Sequence, residues 1–246
     1  MSSPHASVYA FQTTRWTHVV RLQEGANDTE KDRILAQLCR AYWFPLYSYA
    51  RRAGQPPHDA EDATQGFFQH ALGSDLFAKV RQDRGRMRTF LLSSFQHWLN
   101  NRYLRETAAK RGGRQPALSF DAMEAEERYR HEPQDIATPE DLYNRRWARD
   151  FFIAVKERLR VEFDEEEKAA AFDALQPWLF VEGNAEVYGP KAAEIGVTEG
   201  NFRVMLSRFR KRYRDLFREA VADTLDSPTP EEIDHEIREL IRLGAR

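Results

Sequence analysis

Arg203, Ser207, Arg210 and Arg214 recur at intervals of four, three and four residues, which sets them along one face of a helix. Guanidinium groups donate to phosphates and base edges with no bond made or broken, so the chemistry on offer is anion recognition. Lys211 and Arg218 lie farther round. Between 199 and 218 seven Lys/Arg stand against two acids, a local excess of +5. Early residues of such a helix would meet base edges in a major groove, and later cations would meet phosphates. A solvated helix face can have the same composition, so the elements around it must decide.

Those elements are legible. Phe202, Leu206, Phe209, Tyr213 and Leu216 form an apolar stripe at helical period beside the cations. Ahead of them Ala192 and Gly196 stand four apart, and Phe202 follows six residues after the glycine. The small alanine permits close helix approach, Gly196 takes the turn, and Phe202 closes the pair. Val197, Thr198 and Glu199 supply turn and N-cap. This is helix-turn-helix spacing.

A second cationic stretch lies earlier. Between 81 and 114 nine Lys/Arg outnumber two acids, an excess of +7. Here Phe90, Phe95, Trp98 and Tyr103 interleave with Arg88, Arg102, Arg105 and Lys110. Aromatic rings stack unpaired bases while neighbouring cations neutralise the backbone. Leu91 and Phe95 read as core; for Trp98 and Tyr103, core and base stacking stay open.

Catalytic constellations are missing, so the chain reads as no enzyme and needs no cofactor. His58, Asp59, Glu61 and Asp62 lack the spacing of a metal site. Gly112-Gly113 lacks the Lys-Ser/Thr of a phosphate loop. The single cysteine, Cys39, excludes an internal disulfide and sits in an apolar helical segment, buried rather than reactive. No apolar run of signal-peptide or membrane-spanning length occurs, which points to the cytoplasm without membrane insertion. The net charge of −2 argues for nothing by itself, since the acids are segregated. Stretches 121–141 and 219–240 each hold eight acids, against two Arg and one Arg.

The 41% hydrophobic and 31% charged residues suit two small domains with a well-solvated surface. Strand alternation is absent, so the expected fold is all-α. Two small helical domains, 1–113 and 139–225, are joined by an acidic linker, 114–138, and the second contains the helix-turn-helix. Asp28 or Thr29 is expected to cap the first helix, with Pro45 bending or breaking it. Asp59 is expected to cap the next, and Thr138-Pro139 begins the second domain. An amphipathic extension, 226–246, carries Ile233, Ile237, Leu240 and Ile241 on one side. It either completes the second domain's core or screens a cationic DNA-reading face.

The two cationic stretches, in this order, resemble the extracytoplasmic-function sigma factors of bacterial RNA polymerase. Segment 42–52 (YWFPLYSYARR) looks like the opening of their first domain. Segment 60–68 (AEDATQGFF) is similar to the helix that grips the polymerase clamp, with Asp62 and Gln65 at its recurrent acid and glutamine. Segment 84–92 (RGRMRTFLL) looks like the loop and helix start that read and melt the −10 element. Segment 193–203 (AEIGVTEGNFR) resembles the −35-reading helix-turn-helix, and Ser207-Arg208 matches a recurrent pair in its recognition helix. Asn101 and Met205 depart from the common aspartate and basic residue, 164–167 is unusually acidic, and the tail after Leu225 is extra.

The resemblance implies an alternative sigma factor with core RNA polymerase and promoter DNA as partners, and leaves room for an anti-sigma factor or other regulatory partner. Asp62, Gln65 and Phe68 would contact polymerase. Arg84, Arg86, Arg88, Trp98, Arg102, Tyr103 and Arg105 would serve the −10 element. Thr198, Asn201, Arg203, Ser207, Arg208, Arg210 and Arg214 would serve the −35 element. The competing reading is a helix-turn-helix regulator that acts without being a polymerase subunit.

Overall fold

The computed structural model describes residues 27–73, 76, 86–109, 120–132, 138–183 and 185–244. Every regular element there is a helix: α1 Asp28–Arg52, α2 Pro57–Gly73, α3 Met87–Ala109, α4 Phe120–Arg130, α5 Pro139–Glu165, α6 Ala169–Leu175, α7 Ala185–Glu194, α8 Glu199–Asp223 and α9 Pro230–Gly244, with one 3₁₀ turn at Gln176–Trp178. None is long and apolar enough to cross a membrane.

Local chemistry sets most ends. Asn27 caps α1 by accepting from Glu30 N at 2.9 Å, so the cap falls just before the expected Asp28 or Thr29. Pro45 does not break the helix. It lies within the buried run 44–50, whose packing offsets the missing N–H. Helix α2 starts at Pro57, placing Asp59 in the first turn rather than at the cap. Thr138 Oγ1 accepts from Asp141 N at 3.1 Å at the head of α5. Thr229 and Glu232 exchange bonds of 2.8 and 3.3 Å at the head of α9, a reciprocal capping box.

The chain divides into two compact units, residues 1–151 with 222–246, and residues 152–221. In the first, Ile34, Leu38, Tyr42, Leu46 and Tyr47 of α1 are buried with Phe67 of α2 and Phe95 of α3. Phe67 and Phe95 meet edge to face at 5.3 Å. Trp147 of α5 stacks on Phe151 at 5.1 Å and is 1% exposed.

Composition misled on 114–138. Its residues 120–130 form α4, which packs on α1 and α2. Glu126 is buried and takes bonds from Tyr47 Oη (2.8 Å), Arg51 Nε (2.7 Å) and Arg51 Nη2 (2.9 Å). An acid that meets a guanidinium belongs inside, whereas a count of acids reads as solvated surface. The extension differs from expectation too: 222–246 belongs to the first unit, so α9 does not complete the core of the second.

The second unit hangs on α8. Phe202, Leu206, Phe209, Tyr213 and Leu216 are all buried. Phe163, Phe172 and Phe209 form an edge-to-face triangle with centroids 5.4 to 5.9 Å apart. Tyr188 of α7 lies 5.5 Å from Phe202.

Candidate nucleic-acid interface

Helices α7 and α8 are joined by residues 195–198. Gly196 has φ +70°, a left-handed turn that other residues rarely adopt. Val197 N returns to Ala192 O at 2.9 Å and Gly196 N to Ala193 O at 3.1 Å, satisfying the last carbonyls of α7. Ala192, 1% exposed, lets the helices approach. Thr198 caps α8 by accepting from Asn201 N at 3.2 Å, so its hydroxyl has a structural task besides any contact with a ligand.

With the stripe buried, the other sides of α8 face water. Asn201, Arg203, Ser207, Arg208, Lys211 and Arg214 are exposed. Arg203, Ser207, Arg210 and Arg214 line an open cavity of about 280 Å³ with Glu182, Tyr188 and Leu206. Arg203 pairs with Glu199 at 2.8 Å and lies 5.2 Å over the Tyr188 ring. Arg210 departs from its expected role. It donates to Trp178 O (2.7 and 3.1 Å) and Val181 O (2.8 Å), and pairs with Glu182 at 2.7 Å. A side chain making three bonds to two backbone carbonyls fixes the 178–182 turn, leaving little of it for a phosphate. Tyr188 supports the same turn, its hydroxyl accepting from Gly183 N at 2.8 Å. Neither role has a signal in the spacing of α8 alone.

In the first unit the expected residues separate into outward and inward sets. Asp62 and Gln65 share an exposed face of α2. Asp62 lies 3.8 Å from both His58 and Arg102, and Gln65 donates to Glu61 Oε1 at 3.0 Å. Phe68 points the other way, 4% exposed, in edge contact with Phe67. It supports α2 from inside, with almost no surface left to offer a partner. Trp98 is half-buried: its indole N–H donates to Ala63 O at 3.0 Å and its ring stacks on His70 at 5.0 Å. A Cβ on Gly66 would approach that ring to 3.1 Å, so the glycine admits the tryptophan. Trp98 therefore joins α3 to α2. Arg84 lies outside the described residues, as do the side chains of Tyr103 and Arg105.

Arg86 and Arg88 depart furthest from expectation. Arg86 heads α3, its carbonyl accepting from Thr89 N and Phe90 N at 3.0 and 3.1 Å. Its Nε lies 2.6 Å from Glu236 Oε2, an ion pair without hydrogen-bond alignment. Arg88 Nη2 meets Glu236 Oε1 at 2.9 Å, with Trp147 at 5.4 Å beneath the guanidinium. Arg88 is 3% exposed and Glu236 1%. Burial lowers the pKa of Arg88, opposed by the Glu236 charge. Glu236 was legible only as an acid three residues after Ile233 and four before Leu240, inside the apolar stripe of α9. Cys39 is half-buried where a buried position was expected, and burial still pushes its thiol up to about 11.

No family model, curated protein or solved structure matches the chain.

Proposed function

We propose that the protein is a DNA-reading specificity subunit, an alternative sigma factor that binds core RNA polymerase and directs promoter-specific initiation. The observation that carries it is α8: a fully buried apolar stripe behind a tight turn, with Asn201, Arg203, Ser207, Arg208 and Arg214 turned to solvent. A helix seated this way fits a major groove, its first turns at base edges and its later cations at phosphates. Asp62 and Gln65, exposed one turn apart on α2, support docking on polymerase. The basic start of α3 would serve the melted −10 strand, where captured bases offset an unpairing cost of a few kcal/mol each.

The burial of Phe68 and Arg88 favours a second reading, a helix-turn-helix regulator that works without polymerase. Run-off transcription with purified core polymerase separates the two. Initiation that depends on this protein, weakened by Asp62→Ala with Gln65→Ala at unchanged helical content, supports the sigma reading. Duplex DNA binding with no affinity for core polymerase supports the regulator.

A further inference from the structure

The start of α3 is a two-guanidinium anion site already holding an anion from its own chain. Glu236 reaches it from sequence positions 150 and 148 residues away (236 − 86 and 236 − 88) and is almost wholly enclosed. Among the described ion pairs it is the sole carboxylate on either arginine, and Glu239, three residues on, feels the charge of both. Arg88 Nε stays buried with no hydrogen-bond partner, so one donor of the site is unused. A phosphate, with more acceptor oxygens than a carboxylate, would satisfy the fork more fully.

The choice of glutamate is informative. Helix α9 buries only Glu236 and Leu240, while Ile233 and Ile237 are half-buried and Ile241 is 52% exposed. An apolar residue at 236 would hold such a helix as well or better, because a buried ion pair rarely repays its desolvation. A carboxylate instead makes docking depend on two cations that another anion can take. The six residues 224–229 between α8 and α9 keep the helix tethered, so competition is intramolecular and an incoming polyanion meets a high effective concentration of Glu236.

We propose that α9 is a built-in competitor of single-stranded DNA: Glu236 occupies Arg86 and Arg88 in the free protein, and the strand displaces it. This rests on the DNA-reading function proposed above and assigns regulation to that same site. A helix docked nine-tenths of the time lowers apparent affinity about tenfold.

The test uses the full-length chain and a fluorescent 20-nucleotide single strand at low salt. Glu236→Gln, isosteric and neutral, is expected to bind about tenfold tighter than the unaltered protein, and adding Arg86→Gln and Arg88→Gln should abolish the gain. The two arginines should also contribute about 0.7 each to the slope of log K against log salt. Hydrogen exchange on the unaltered protein gives a second readout that needs no variant to fold: saturating oligonucleotide should deprotect 230–244. Equal affinity with unchanged exchange in 230–244 overturns the competition. If Arg208→Ala still loses duplex affinity in that case, the DNA-reading function survives. Absence of binding to any DNA by every variant removes that function, and this inference with it.

Discussion

Helix α8 and the start of α3 carry similar densities of arginine and end in opposite states. On α8 the buried positions, from Phe202 to Val221, are all taken by apolar and aromatic residues, so Arg203, Arg208 and Arg214 are left to water. On α3, Met87 and Leu91 are buried and Arg88 falls between them on the same side, 3% exposed. There it survives because Glu236 and Trp147 receive it. A local excess of cations therefore does not predict a cationic surface. Register against the buried stripe, and an acid brought from elsewhere, decide it.

Both helices must hang on real cores for the comparison to hold. Phe202→Ala and Phe95→Ala, each at a site 0% exposed, are expected to cost about 3–5 kcal/mol in urea unfolding. A loss under about 1 kcal/mol at Phe202 would mean that α8 is not seated as described.

The difference between the regions is tested next. Arg88→Ala strands Glu236 with one partner, and about 3 kcal/mol is expected, the lower end for a broken buried pair because α9 can lift and hydrate. Arg208→Ala, on an exposed position, should stay within about 0.5 kcal/mol. Equal losses in the same unfolding assay would erase the contrast.

Within α8 the contrast sharpens between two arginines one turn apart. Arg214→Ala should leave stability alone and lower the salt slope of duplex binding by about 0.9, one phosphate contact. Arg210→Ala should instead cost about 1–2 kcal/mol through the lost bonds to the 178–182 turn. A stability loss at Arg214 with none at Arg210 would reverse the assignment.

The smallest effect is in pH. Burial alone would raise the pKa of Glu126, but bonds from Arg51 and Tyr47 outweigh it and hold the carboxyl below its ordinary 4.5. A depressed folded pKa contributes stability above the unfolded value and loses it as pH falls through the folded one. The stability gap between the unaltered protein and Glu126→Gln should therefore be full at neutral pH and close below about pH 4.5. A gap that persists unchanged into acid would show that Glu126 acts by shape instead of charge.

Sequence alone determined what is local. The helices other than α4, the caps at Thr138 and Thr198, the left-handed Gly196 and the stripe of α8 follow from propensity, period and caps, all set within a turn or two of chain. The exposed cations of α8 were legible for the same reason, since the stripe beside them fixes their direction. Tertiary structure alone decided which charges pair. Glu126 with Arg51, Glu182 with Arg210, and Glu236 with Arg86 and Arg88 join residues 28 to 150 positions apart. Composition records such acids and bases only as separate patches. A buried charge is tolerated only where a distant partner meets it, and periodicity carries no information about which partner arrives.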